Sequence, residues 1–448
     1  MEQTSSTSAA NDAAILAGLN PRKLFILGCL CLATTSASFI LRTSIAQDLQ
    51  TQLFEPINKL TSAAMVGDGL KYAFLGFAFT VAIGSALVDF LGMRNMLALC
   101  GLSFIVGTLL TVTAGGSDPG TPVKLGMFLN GLGWGFSETV INPLTTAIYP
   151  NDKTHRLNVL HAWWPAGIVA GGLLGLGIDQ LALGWRIKFG MMLVPATAIL
   201  LMLIGTKFPK TERVASGVST GDMFKECMKP GFLIWFFAMF LTASAELAPG
   251  QWVDLALTHT VGMRGVWLMI YVSGLMFVMR HFAGAMVRKF SLVGLLWISC
   301  LLAALGLFWL SYANSPITGL LGATVWGVGV CYMWPTMLAA AAERHPKSGA
   351  LGMGLIGSAG SLAIWFVLPE MGKIFDTNKI AAAGSETAYK ALEGSAKEVI
   401  DAAAAADSFR VVAILPAILL IVFGAVWLWD KRKGGFKSEP LTTSQAAE

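Results

Sequence analysis

The feature that most constrains this chain is a train of twelve apolar segments, each close to the length that crosses a bilayer. They run 23–45, 70–89, 95–114, 122–148, 157–179, 187–207, 230–256, 264–286, 291–311, 316–341, 349–369 and 408–429. A helix spans the ~30 Å hydrocarbon layer with ~20 apolar residues. Twelve such segments predict an all-α integral membrane fold with twelve transmembrane helices. Composition agrees: of 448 residues 55% are hydrophobic and 13% charged, about half the charge of a soluble globule. That balance excludes disorder, a coiled coil, a disulfide scaffold and an ordinary soluble enzyme. The six cysteines (29, 31, 100, 227, 300 and 331) lie in apolar runs or a loop with no pairing pattern, so free thiols are expected.

Charge placement orients the spans. With the N-terminus inside, eighteen Lys and Arg fall on the inner side and eleven on the outer, four of those in the long loop 371–407. Long loops carry little orientation weight, so both termini are expected in the cytoplasm, of a plasma-membrane protein. The net charge of +5 is spread over short loops and does not point to nucleic acid. Residues 1–20 are Ser/Thr/Ala-rich and polar, and are expected to be a disordered tail rather than a cleavable signal. The longest inner connection, 208–229, divides the chain into an N-terminal bundle (21–207) and a C-terminal bundle (230–430, with a tail at 431–448). Six plus six spans, with related inner loops at 85–94 and 280–289, suggest a duplicated transporter. Ser395-Ala396-Lys397-Glu398 is a capping-box pattern, so a short surface helix is expected inside the loop 371–407.

An ionisable group in hydrocarbon costs several kcal/mol unless it is paired or faces water. Those groups are Arg42, Glu138, His161, Glu246, Arg280 and His281. In span 4, Asn130, Trp134, Glu138 and Asn142 recur every four residues and read as one stripe along a helix. Such a stripe lines a cavity or a helix interface: Asn and Glu can hydrogen-bond sugar hydroxyls, and Trp can stack on a pyranose face. The bland alternative is polar glue between helices. Span 5 opens with Asn158 and His161 on one face, candidate ligands or a buried hydrogen-bonded pair. Its glycines (167, 171, 172, 175 and 177) permit close helix packing. Tyr332 and Trp334 in span 10, and Trp365 in span 11, are candidate substrate contacts or simple packing.

Depth follows from the ~1.5 Å rise per helical residue. Arg42 lies ~28 Å from the inner end of span 1 and Glu246 ~24 Å from that of span 7. An ion pair between them could close the outer side of a cavity; the alternative is that each pairs with other neighbours or with a substrate carboxylate. Arg280, only ~9 Å from the inner end of span 8, is expected to reach the inner interface and to act as a gating residue. No phosphate loop, metal-ligand spacing, nucleophile elbow or dinucleotide fingerprint is present in the sequence, so no enzyme activity, metal or cofactor is expected.

Leu87-x-Asp89-x-x-Gly92-x-Arg94 is similar to the loop motif after span 2 of the major facilitator superfamily. It departs from that motif at Ser85, where glycine is usual, and at Met93, where a basic residue is usual. The resemblance implies a gating role for Asp89 and Arg94, by charge pairing that holds the inner side closed. Five further segments resemble the fucose/galactose/glucose–proton symporters and related sodium-linked glucose carriers. They are Glu138-Thr139-x-x-Asn142-Pro143, Arg156-Leu157-Asn158-x-x-His161, Ala245-Glu246-x-x-x-Gly250-x-Trp252, Trp334-Pro335-Thr336 and Pro369-x-Met371-Gly372-x-x-x-Asp376. The resemblance implies that Glu138 couples a cation to the substrate, with Asn142, Asn158 and His161 as polar cavity residues. The sugar symporters carry an acid in span 1, roughly where this chain has Arg42, and a fixed cation cannot shuttle a proton at neutral pH.

The expected function is proton-coupled uptake of a hexose or related sugar by alternating access, in a monomer embedded in the bilayer. Glu138 and Glu246 are the coupling candidates. Arg42, Asn130, Trp134, Asn142, Asn158, His161, Tyr332, Trp334 and Trp365 join them as substrate-binding candidates. One alternative is transport of an organic anion such as a sugar acid anchored by Arg42. Another is a non-transporting membrane receptor or scaffold, against which the buried Glu138 argues.

Overall fold

The computed structural model of the chain describes residues 18–57, 62–261 and 265–436, so the expected N-terminal tail lies almost wholly outside the described residues, and the C-terminal one largely so. Among the described residues all regular structure is helical. The chain forms two compact units. Unit 1 holds Met1–Lys229 and Ala341–Ser358, and unit 2 holds Pro230–Ala340 and Ala359–Ser438.

The main helices of unit 1 are α1 (Pro21–Ser44), α2 (Tyr72–Leu91), α3 (Met93–Val112), α4 (Gly120–Ile148), α5 (Lys153–His161), α6 (Trp163–Gln180), α7 (Trp185–Gly190) and α8 (Leu193–Leu203), with shorter helical pieces at Ala46–Leu49, Gln50–Phe54 and Ser62–Leu70 between α1 and α2. Two short linker helices follow, α9 (Glu212–Ala215) and α10 (Thr220–Cys227). Asn20 caps α1 by accepting from the Lys23 amide at 3.0 Å, and Pro21 occupies the first turn, where its missing N–H costs nothing. Gly92, with φ +79°, turns the chain from α2 into α3 in a single residue, a conformation that a side chain would strain.

Unit 2 contains α11 (Pro230–Thr260), α12 (Gly265–Arg280), α13 (Ala283–Phe290), α14 (Leu292–Leu310), α15 (Pro316–Val330), most of α16 (Met333–Arg344), the greater part of α17 (Gly349–Ala383), α18 (Glu386–Lys390) and α19 (Gly394–Arg432). The ends of α16 and α17 that face each other in sequence, Ala341–Ser358, belong to unit 1.

The packing is that of a protein in lipid. On α2, Leu75, Phe79, Ile83 and Leu87 recur every four residues and stay exposed, while Ala73, Gly76, Thr80 and Gly84 on the opposite face are buried. Large apolar side chains gain little by leaving hydrocarbon, so small residues take the interface and let backbones approach. A Cβ placed on Gly131 of α4 would lie 2.0 Å from the Ala73 carbonyl oxygen, and one on Gly76 of α2 would lie 2.3 Å from that of Phe128. The α2–α4 contact therefore requires glycine on both helices. In unit 2 the same device recurs between α14 and α15, where a Cβ on Gly306 would meet the Trp326 amide at 2.2 Å.

Nine helices among the described residues are long and apolar enough to cross a membrane, and a tenth is counted if α12 and α13, bent by 67° at their junction, form one broken span. At 29 residues α4 is long enough but is not among them, because its polar row dilutes its hydropathy. The expected twelve spans require α4 and α17 as well. The expected loop 371–407 is mostly helix instead: α17 runs on to Ala383, and α19 begins at Gly394 and continues unbroken into the last apolar segment. Ala, Lys and Glu are strong helix formers, and a helix already nucleated by an apolar span propagates through them cheaply. All six cysteines are free and buried.

Candidate functional site

In unit 1, α4 is buried along nearly all of its second half, Ser137 to Ile148. Glu138, 8% exposed, lies one turn from Asn142. The Asn142 amide nitrogen donates to Glu138 Oε1 at 3.1 Å and to the Glu138 backbone carbonyl at 3.1 Å. That leaves Asn142 Oδ1 as an acceptor, and His161 Nε2 sits 2.9 Å from it. The geometry therefore assigns a hydrogen to Nε2. The same nitrogen is 3.9 Å from Glu138 Oε1. His161 ends α5, and the single residue Ala162 separates it from α6, which begins at Trp163. Two titratable groups and a bridging amide thus share one buried cluster. Asn158, one turn earlier on α5, donates to the Thr154 carbonyl at 2.9 Å.

One turn from Glu138 in the other direction, Trp134 packs among rings. Its centroid is 5.9 Å from Phe74, 6.0 Å from Phe39 and 6.5 Å from Phe77. Arg42 lies over these rings, with its guanidinium carbon 4.9 Å from Phe74, 5.3 Å from Phe39 and 5.7 Å from Trp134. Asn130 has a different setting. Its amide donates to the Gly126 carbonyl at 2.9 Å, and it packs on Gly107 of α3. The expected single stripe therefore fans out: a step of four residues overshoots a helical turn by ~40°, or ~120° over three steps. Asn130 faces α3, Trp134 the ring cluster on α1 and α2, and Asn142 faces His161.

In unit 2, Glu246 takes a partner within its own unit. Glu246 Oε1 of α11 lies 3.2 Å from Arg280 Nη2, and Arg280 is only 2% exposed. Arg280 therefore does not reach an interface. Its Nε donates to the Cys331 carbonyl at 2.7 Å, and the Tyr332 hydroxyl donates to the Met279 carbonyl at 2.8 Å. Both anchors sit where helices break, between α12 and α13 and between α15 and α16. A break releases carbonyls from the helical ladder, and side chains of the facing helix take them up. Counting residues along a span does not report which helix faces touch, and the chain bends by 67° just past Arg280. Trp334 packs on Gly360 of α17. Trp252 and Trp365 lie on α11 and α17, but their side chains are outside what the structure describes.

Charge pairing at Asp89 takes an unexpected partner. Arg213 of the linker helix α9 holds it, with Nε 3.0 Å from Asp89 Oδ2 and a second contact from Nη2, and the Thr211 hydroxyl donates to Oδ1. Arg94 is exposed and takes no part. Lys153 pairs with Glu212 at 2.7 Å, the Thr154 hydroxyl bonds Glu343, and Glu226 pairs with His345 at 2.8 Å and Lys229 at 2.7 Å. The linker is thus a built layer of unit 1. Ser219-x-x-Asp222, which caps α10 with the Asp222 amide donating to Ser219 Oγ at 3.1 Å, was the one sequence signal for it.

Comparison with known proteins places this geometry in a family. The sequence profile of the Major Facilitator Superfamily matches residues 24–367. The chain is 28% identical over 123 residues to myo-inositol transporter 1 of Saccharomyces cerevisiae, a match that covers 27% of this chain and 20% of the yeast protein. The chain therefore spans only a fifth of that relative's length. Among solved structures, the E. coli fucose:proton symporter FucP in its outward conformation matches with a TM-score of 0.65 at 17% identity, over 88% of this chain and 98% of FucP. The proton:xylose symporter XylE bound to 6-bromo-6-deoxy-D-glucose matches with a TM-score of 0.68 at 15% identity, over 90% of this chain and 95% of XylE. At such identities these two likenesses establish the fold.

Proposed function

Since the chain belongs to the major facilitator superfamily, and so is a multi-pass membrane transporter rather than an enzyme, we propose that it takes up a hexose or related sugar together with a proton by alternating access. The observation that carries this is the buried Glu138–Asn142–His161 cluster one helical turn from Trp134. A carboxylate in this setting is costly when charged. Protonation of Glu138 removes the charge and lets the half-transporter move through the low-dielectric state without it. Asn142 fixes the rotamer of Glu138 and relays its state to His161, while Trp134 offers a ring face to a sugar. The sugar symporters FucP and XylE and the yeast inositol transporter support a polyhydroxylated substrate. The same proposal places the protein in the plasma membrane as a monomer, with both termini in the cytoplasm and Asp89, held by the linker, in the inner gate.

The test is Glu138→Gln in proteoliposomes. Gln keeps the shape and accepts from Asn142 but cannot cycle a proton. Uptake driven by an imposed pH gradient should fall at least a hundredfold, while exchange of labelled for unlabelled sugar persists. Gradient-driven uptake at the wild-type level would remove Glu138 from the coupling step.

A further inference from the structure

Four cations are buried among the described residues, and three of them have carboxylate partners. Lys188 holds Asp179, Arg213 holds Asp89, and Arg280 holds Glu246. Arg42 is the fourth, 7% exposed. Its Nη1 donates to the Leu70 carbonyl at 3.2 Å, and its Nε has no hydrogen-bond partner. Cation–π contact with Phe39, Phe74 and Trp134 offsets part of the cost of burial but does not supply an acceptor. Two further donors nearby are also unspent: Trp134 Nε1 on the ring that Arg42 overlies, and Ser38 Oγ one turn away on the same face of α1. Both residues are more than nine-tenths buried. Buried donors in native proteins almost always have partners, so unspent donors on Arg42, on the ring it overlies and one turn away on its own helix mark the place of an absent acceptor.

We propose that this is an anchoring site for a monoanionic carboxylate on a sugar-sized substrate, so that the protein carries sugar acids of the hexuronate type. The guanidinium fork matches a carboxylate, Trp134 and Ser38 supply further donors, and the half-buried rings of Phe39, Phe74 and Trp164 present faces to the C–H edges of a pyranose. A dianionic phosphate is disfavoured because the nearest other buried cation of unit 1, Lys188, is committed to Asp179. The inference deepens the sugar-uptake reading by naming the substrate class, but its test uses no gradient and stands apart from the coupling role of Glu138.

Purified full-length protein in detergent is titrated with D-glucuronate, D-glucose and sodium acetate, with intrinsic tryptophan fluorescence as the readout. Glucuronate should bind at least tenfold more tightly than glucose, and acetate weakly. In Arg42→Gln the glucuronate-to-glucose affinity ratio should fall roughly thirtyfold or more, the usual loss when one partner of a buried charge pair is removed. If that variant fails to fold, Trp134→Phe keeps an aromatic ring in place of the smaller part of the indole and its N–H, and should still lower the ratio several-fold. Equal affinity for the two sugars in wild type, an unchanged ratio in both variants, or acetate matching glucuronate would each overturn the proposal. Gradient-driven uptake at the wild-type level in Glu138→Gln, with the binding ratio intact, would instead count against the coupling reading alone.

Discussion

Removing Arg280 should leave Glu246 as an uncompensated charge in the interior of unit 2. Arg280 is 2% exposed, and its Nη2 lies 3.2 Å from Glu246 Oε1. Breaking a buried ion pair by deleting one partner costs about 3–5 kcal/mol. Arg280→Met also frees the Cys331 carbonyl, which now accepts from Nε at 2.7 Å, and an unsatisfied buried group costs about 1–3 kcal/mol. Glu246→Gln added to Arg280→Met removes the stranded charge, so the double variant should recover about 2 kcal/mol or more of the loss. The assay is a thermal melt of the purified full chain in detergent. Scan rate is held fixed, because such proteins unfold irreversibly and the midpoint then ranks variants by rate. Arg280→Met should melt lowest, with the double variant several degrees above it. A double variant that melts no higher than Arg280→Met would refute the argument, because the charge of Glu246 would then not be what Arg280 compensates.

Two further predictions concern packing and the linker. Gly131→Ala would bring a Cβ to 2.0 Å from the Ala73 carbonyl, so despite the better helix propensity of alanine it should destabilise by about 1–3 kcal/mol. Gly177→Ala on α6, where nothing lies within 4 Å of the added atom, should be neutral or stabilise by up to about 1 kcal/mol; equal melting temperatures for the two would contradict the close α2–α4 contact. Burial works against the Glu226 carboxylate, but hydrogen bonds from Lys229 and His345 more than offset it and hold the group below the usual glutamate range. A depressed folded value means that stabilisation is complete above the unfolded value of ~4.3 and is lost as pH falls through the folded one. The melting temperature of Glu226→Gln should therefore fall less than that of wild type as pH drops below ~4.3, and parallel acid profiles would exclude the contact.

Much of the fold was legible because each span carries its own signal. Apolar length, the Asn20–Pro21 start and the single-residue turn at Gly92 are local, and the motifs around Glu138, Asn142 and His161 fall at fixed spacings on adjoining helices. What misled was geometry that accumulates along the chain. The ~40° overshoot per four-residue step carried Asn130 away from Glu138, and residue counting along a span could not show that Glu246 faces Arg280 of its own unit. The linker's contacts were out of reach for another reason: Asp89, Lys153, Glu343 and His345 come from four separate stretches of chain, and nothing local to 208–229 names them.

The sequence by itself determined the class of the protein. Hydropathy sets how much chain must leave water, and spanning length sets that it does so as helices, independent of how they pack. It also determined which few charges had to be explained, because burying an ion is costly wherever it lies. Tertiary structure alone decided how those charges were satisfied. Glu138 is linked to His161 through Asn142, Glu246 is matched by Arg280 at two broken helices, and Asp89 is matched by Arg213. Among the buried cations of the described residues, Arg42 is left facing rings and unspent donors. Partnership between buried charges depends on which helix faces touch, and bends, breaks and glycine contacts fix those faces after the spans have formed.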